Sequence, residues 1–350
     1  MRAMILAAGL GTRLYPLTCD RTKPAVPFLN KPIVAFSVEY LKLHGITDIV
    51  VNLHHQPDSV RRALGDGSQY GVNITYSYEP EILGTAGGLD KVRDFLSDDD
   101  FVVINGKLIT DINLAEAIET HRNRGAIGTM VLRRNAKREH YSNVEIDTNG
   151  DIVRFAGFPE ALPDTRSLQD EIKALRAVRM NKAGDHLVSV PAEEEDLSAP
   201  LMFASIHIMS PKIFNYIPRG VVSDSVRDTY PAAMADGKRV TSYIGRGYWY
   251  EFSTLRRYLD ISLEFLHREG RANCLGTNSE IEPGALVTDC VLWNRVRVER
   301  DATLRRCIIG DDVVIPADTH MEDLVVVRAD RVGDIERGTK SGDNIVVPIG

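Results

Sequence analysis

Leu6-Ala7-Ala8-Gly9-Leu10-Gly11-Thr12-Arg13-Leu14 places two glycines, a hydroxyl and a guanidinium in a short stretch after an apolar run. Glycines let a backbone approach an anion closely, and successive N–H groups can cradle it. Arg13 adds a planar donor fork suited to phosphate oxygens. The stretch lacks the Gly-Lys-Ser/Thr of a Walker loop and the third glycine of the dinucleotide fingerprint. Taken alone it is as readily a tight turn as a phosphate site. Asn105-Gly106-Lys107 follows a second apolar run, and Lys23 lies ten residues after Arg13. Together they supply basic groups for a phosphorylated small ligand.

Other reactive-looking groups read more plainly as structure. His54 and His55 are adjacent on or after a strand, where successive side chains point to opposite faces, so they do not make a metal pair. Asp98-Asp99-Asp100 reads as a solvated turn, and Arg133-Arg134 with Lys137-Arg138 as a surface basic cluster bordering the site. His320 lies in a repeat region, but nothing beside it supports acyl transfer.

The elements that must position these groups alternate. Strand patterns at 4–7, 49–53, 72–76, 101–105 and 127–132 are separated by helical patterns at 32–43, 59–64, 86–96 and 114–123. That alternation predicts an α/β, Rossmann-like, mixed and mostly parallel sheet covered by helices. Ligands of such sheets sit at the carboxyl ends of strands, where both the glycine loop and Asn105-Gly106-Lys107 fall. Residues 160–200 are richer in Pro and Glu and read as an inserted flap, and a strand at 202–208 and a helix at 255–267 complete a core over 1–269.

From 270 to 350 the pattern changes. Ile281, Val287 and Trp293 recur every six residues, as do Ile309, Ile315, Met321 and Val327. Such spacing, with Gly, Asp and Asn between, predicts a parallel β-helix that is irregular between Arg295 and Leu304. An antiparallel sandwich is the alternative.

Composition narrows the partners. The 350 residues carry 49 acidic and 42 basic side chains, a net charge of −7, and 43% are hydrophobic. An ordinary globular composition excludes a disordered or fibrous chain, and acidity argues against nucleic acid as a partner. No apolar run reaches membrane-spanning length, and the first residues do not read as a signal peptide. Cys19, Cys274, Cys290 and Cys307 show neither CxxC spacing nor the density of a disulfide framework. A cytoplasmic location is therefore expected.

Extended over Gly9–Thr18, Thr22-Lys23-Pro24-Ala25-Val26-Pro27-Phe28, Lys31-Pro32-Ile33 and Leu83-Gly84-Thr85-Ala86-Gly87-Gly88, the chain resembles the sugar-1-phosphate nucleotidyltransferases. Its look is closest to mannose-1-phosphate guanylyltransferases that end in a left-handed β-helix. The resemblance implies an NTP and a sugar-1-phosphate as substrates, pyrophosphate release, and contact between copies through the β-helix. It implies nucleotide contacts at Leu6, Ala7, Ala8, Gly9, Gly11, Thr12, Arg13, Leu83, Gly84, Thr85, Asn105 and Gly106, and chemistry at Arg13, Lys23 and Lys107. The sugar falls to Asn143 and Gly157, and Mg²⁺ to Glu251 and Asp111.

The departures are concentrated in the chemistry. The family keeps an Asp where this chain has Lys107, so a cation stands where Mg²⁺ would be held, weakening the metal site. Its Trp-x-Asp segment is Trp249-Tyr250-Glu251 here, and its Phe-x-Glu-Lys-Pro is Phe155-Ala156-Gly157-Phe158-Pro159. Two readings stand side by side. One is a nucleotidyltransferase, with GTP and mannose-1-phosphate favoured. The other is a weakly active or inactive nucleotide-sugar-binding regulator.

Overall fold

The computed structural model describes residues 1–136, 139, 141–156 and 196–350. Most of the expected flap, together with Lys137, Arg138, Gly157 and Phe158, lies outside the described residues. The chain divides into two compact units. The first holds Met1–Met4, Leu83–Ile104 and Thr110–Trp249; the second holds Ile5–Ile82, Asn105–Ile109 and Tyr250–Gly350.

The core strands are β1 (Arg2–Leu6), β2 (Asp48–Leu53), β3 (Asn73–Tyr78), β4 (Phe101–Asn105), β5 (Gly128–Arg134), β6 (Leu201–Met209) and β7 (Val240–Ile244). In the first unit the order is β7-β5-β6-β4. Here β7 runs parallel to β5, while β6 is antiparallel to both β5 and β4. In the second unit β2 pairs with β3 in parallel, Asp48 opposite Asn73 through Leu53 opposite Tyr78. The sheet is mixed, as expected. Phe101–Ile104 and Ile49–Leu53 are buried on both faces, which accounts for their continuous apolar runs.

Helices α1 (Ile33–Leu43) and α2 (Pro57–Leu64) belong to the second unit, and α3 (Gly84–Lys91), α4 (Arg93–Leu96) and α5 (Leu114–Arg124) to the first. The single helix expected over 86–96 is two helices, because the chain leaves helical geometry at Val92 (φ −112°, ψ 20°). Asn113 caps α5 through its side-chain oxygen, and Gly125 ends it with φ 56°. A further helix, Leu255–Arg268, is capped by the Thr254 hydroxyl and buries Leu259, Leu263 and Leu266 along one face.

Residues from Cys274 onward wind into a parallel β-helix. Cys274–Leu275 pairs with Val291–Leu292, then Ile308–Ile309, then Val325–Val326. Two further sheets stack Ile281, Val298 and Ile315, and Val287, Leu304 and Met321. The turn of the helix is therefore 17 residues and not 18. This corrects two expectations. The stretch Arg295–Leu304 is regular, since a 17-residue turn necessarily slips a strict six-residue count. The third inward position is Leu292, Ile309 and Val326, one residue before the predicted Trp293 and Val327.

The corners carry the same period. Asn278, Arg295 and Asp312; Gly284, Asp301 and Asp318; and Asp289, Arg306 and Asp323 all have positive φ. Asn, Asp and Gly adopt that conformation at least cost. The two arginines are held there by the aspartates one turn later: Arg295 donates to Asp312 at 2.9 Å and Arg306 to Asp323 at 2.9 Å.

The end of the chain returns to its beginning. Arg331 pairs with Asp20 at 3.4 Å and Asp311 at 3.7 Å, and Arg21 pairs with Asp311 at 2.7 Å. Arg337 donates to the carbonyls of Thr12 (3.2 Å) and Tyr15 (3.3 Å), and the Glu336 N–H donates to the Tyr15 hydroxyl at 3.3 Å.

Candidate active-site cleft

Strand β1 ends at Leu6, and the chain then makes an irregular loop whose course is set from three sides. Behind it, the Ala7 N–H donates to Asn52 Oδ1 at 2.7 Å, and Asn52 Nδ2 donates to Glu79 Oε1 at 2.8 Å. Both Asn52 and Glu79 are buried. A buried amide and carboxylate joined in this way act as a rigid peg for the backbone they hold. From below, Gly11 sits at φ 71°, and a Cβ there would come within 3.1 Å of the Lys23 Cβ. Only glycine lets these two segments approach so closely. In front, the Thr12–Leu14 turn carries Arg337 on its carbonyl.

Leu6, Ala7, Gly9, Gly11, Thr12, Arg13, Lys23, Pro24, Asn105 and Lys107 line one cleft of about 250 Å³, all within the second unit. Of the nucleotide residues expected there, Ala8 and Gly106 are not among the lining groups. Gly106 instead supports the loop from behind: its N–H donates to the Leu6 carbonyl at 3.0 Å, and a Cβ would stand 2.9 Å from Ile5.

The electrostatics of the cleft are unusual for an acidic protein. Lys23 is only 6% exposed. Burial, then the neighbouring Lys107 and Arg13 charges, lower its pKa to about 8, against the raising effect of Glu251. The Lys107 ammonium donates to Glu251 Oε1 in a short ion pair, and Glu251 is buried. Lys107 thus faces the cleft, with Glu251 beside it, and does not extend into bulk solvent.

Glu251 does not fit a protein-held Mg²⁺ site in this arrangement. A small hard cation needs several oxygen ligands at near-octahedral angles. The carboxylate oxygen that would serve accepts the Lys107 ammonium, and among the described residues no group of three or more His, Cys, Asp or Glu could hold a metal. Asp111 belongs to the first unit, where its Oδ1 accepts the Tyr248 N–H at 2.6 Å and pins the Gly247 turn. Burial raises its pKa.

Leu83, Gly84 and Thr85 also lie in the first unit, where they dock on the segment 223–225. Gly84 has φ 77°, and a Cβ would meet the Ser223 carbonyl at 2.4 Å. That carbonyl accepts the Ala86 N–H at 3.0 Å, while the Thr85 hydroxyl contacts Asp224 (3.2 Å) and accepts the Ser225 N–H (2.8 Å). Asn143 forms an isolated bridge with Met202, and its Oδ1 is buried without a partner among the described residues. The Arg133-Arg134 pair is not a free surface cluster: Arg133 covers the Trp249 ring at 5.7 Å and Arg134 donates to the Ala199 carbonyl at 3.0 Å. The His54 Nδ1–H donates to the Glu79 carbonyl at 2.8 Å, which is a structural bond.

Two groups of functional interest escaped the sequence reading. The Asn52–Glu79 peg had one visible trace, a lone amide inside the apolar run Ile49-Val50-Val51-Asn52-Leu53. The Arg337 anchor had none, since it depends on a contact with Thr12 across most of the chain.

The chain is similar to known proteins over most of its length. The family model described as Nucleotidyl transferase matches residues 2–268, and one described as GlmU-like, C-terminal hexapeptide matches 269–347. A UTP--glucose-1-phosphate uridylyltransferase of Synechocystis is 31% identical over 314 residues, 85% of this chain and 72% of the relative. A probable mannose-1-phosphate guanylyltransferase 1 of Oryza sativa is 29% identical over 346 residues, 94% and 91% of the two chains. The fold is shared with the crystal structure of a putative glucose-1-phosphate thymidylyltransferase from Bacillus anthracis. That match has a TM-score of 0.56 and 23% identity, and it covers 75% of this chain and 95% of the other. No helix among the described residues is long and apolar enough to cross a membrane. On the match over 2–268, the chain belongs to the nucleotidyl transferase family.

Proposed function

We propose that the protein transfers a nucleotidyl group from an NTP to a hexose-1-phosphate, with GTP and mannose-1-phosphate as the favoured pair. The observation that carries this reading is the cleft itself, in which Gly11, Thr12, Arg13, Lys23 and Lys107 converge at the end of β1. In the reaction an oxygen of the sugar phosphate bonds to the α-phosphorus of the NTP. The bond from that phosphorus to the bridging oxygen breaks, and pyrophosphate leaves with the electron pair. Alignment and charge neutralisation supply most of the acceleration in such transfers.

Each residue has a part in this proposal. The Gly9–Thr12 backbone and the Arg13 guanidinium hold the triphosphate, and Lys23 faces the departing pyrophosphate. Lys107 stabilises charge developing at the α-phosphate. Asn105 borders the nucleotide. No residue assignment here depends on a bound metal. We further place the boundary between catalytic core and β-helix near 269, and the free state of all four cysteines favours a cytoplasmic protein.

Pyrophosphate release measured across four NTPs and a panel of sugar-1-phosphates tests the reading. Turnover is expected for the wild type, with Arg13→Ala lowering kcat/KM by about 100-fold, as loss of a charged phosphate donor does at such sites. Absence of turnover with every pair, together with turnover in Lys107→Asp, would instead identify a nucleotide-sugar-binding regulator.

A further inference from the structure

The polyphosphate cleft and its metal chemistry do not match each other, and this mismatch extends the functional reading above, on which it rests. Three cationic side chains, Arg13, Lys23 and Lys107, line the cleft, and the carboxylate bonded to one of them is Glu251. With all four ionised, an excess of two positive charges faces the cavity. Positive charge of that size is what a bound divalent cation would bring to a polyphosphate. It is built here into the chain.

The placement of these charges adds to the argument. The Lys107 ammonium has three donors, of which the Glu251 carboxylate takes one direction. Lys107 stands on the chain immediately after Gly106, which is fixed to Leu6 by a 3.0 Å hydrogen bond. The cation is thus tethered at both ends, by its backbone and by its counter-ion, in the wall of the cleft. A divalent cation bound to Glu251 would have to displace this ammonium and then tolerate it nearby. Coulomb repulsion between Mg²⁺ and an ammonium at a few ångströms costs several kcal/mol at the dielectric of a protein surface.

We propose that the cleft takes its polyphosphate as the metal-free anion, with the Lys107 ammonium, oriented by Glu251, standing where a divalent cation would otherwise be needed. Glu251 is a positioning residue for that ammonium. An incoming phosphate must share that ammonium with the Glu251 carboxylate.

The test uses the full chain and inorganic pyrophosphate, titrated by calorimetry in EDTA and again with Mg²⁺. Wild-type affinity in EDTA is expected within about threefold of that with Mg²⁺. Lys107→Gln should weaken metal-free binding by about tenfold or more, the worth of one charge-assisted contact, while Lys107→Arg retains it. Glu251→Gln removes the carboxylate that orients the ammonium and should weaken metal-free binding by about threefold, whereas Glu251→Asp, which keeps the charge, should largely retain it. Pyrophosphate binding that appears only with Mg²⁺, and is lost in Glu251→Gln, would make Glu251 a metal ligand and overturn the inference. Absence of binding in both buffers would overturn it as well. NDP-sugar formation measured on the same samples keeps the two readings apart. Turnover with strictly Mg²⁺-dependent pyrophosphate binding rejects this inference and leaves the proposed function standing. Metal-free binding without turnover for any substrate pair does the reverse. The lysine variants carry the test should Glu251→Gln fail to fold.

Discussion

Lys23 is buried beside Arg13 and Lys107, with Glu251 as the acidic group that offsets them. With a pKa near 8, it changes charge in a range where an ordinary lysine stays protonated. The sign follows directly. Below pH 8 the cleft holds one more positive charge than above it, so anion affinity falls as pH rises through 8. Pyrophosphate affinity measured between pH 7 and 9.5 should drop about three- to tenfold in the wild type and stay nearly flat in Lys23→Met. A wild-type profile as flat as that of the variant would show that Lys23 does not face the anion. At this scale the basic residues were legible from the loop and its flanks. Their pairing was not, because Lys107 and Glu251 lie on segments 144 residues apart. A one-residue difference in charge type is visible in a sequence, whereas the partner that neutralises it is supplied by the fold.

The elements were more legible than their limits. Strands β1, β4 and β5 and the helix Leu255–Arg268 follow apolar periodicity closely. The break at Val92 has no Gly or Pro to announce it. The β-helix was recognisable from six-residue repeats, yet its true unit is the 17-residue turn, which only the pairing of Ile281, Val298 and Ile315 reveals. Place in that count separates Ile309, which is fully buried, from Val314, which is 40% exposed. Ile309→Ala should lower stability by about 2–4 kcal/mol, whereas Val314→Ala, on the exposed side of the next strand, should cost under about 1 kcal/mol. Thermal or urea denaturation of the two variants distinguishes them. The dock of α3 makes a second element-level prediction. Gly84→Ala puts a methyl group 2.4 Å from the Ser223 carbonyl in a left-handed conformation, and about 2–4 kcal/mol of destabilisation is expected. The same melting measurement reads it.

At the scale of the whole molecule, the second unit ties the segment at 331–337 to the one at 12–20. Arg331 and Arg337 hold Asp20, Thr12 and Tyr15, so the loop that carries Arg13 is anchored by residues more than 300 positions away. Neither partner has a local signature, which is why this tie was invisible in sequence. Arg337→Ala removes two backbone-directed hydrogen bonds, and each is worth roughly 1 kcal/mol. KM for the NTP should rise about three- to tenfold with kcat little changed, and the amides of Thr12–Tyr15 should exchange hydrogen faster than in the wild type. Unaltered exchange would show that the loop keeps its shape without the arginine.

This tie also orders events during synthesis. The loop that carries Arg13 leaves the ribosome more than 300 residues before Arg337 does. At translation rates of about 5–20 residues per second, the loop waits roughly 15–60 s for its fastening. A nascent chain stalled inside the β-helix would carry every cationic group of the cleft and still lack the clasp that sets their backbone. The full grip on a ligand is then completed late, when Arg337 reaches the carbonyls of Thr12 and Tyr15.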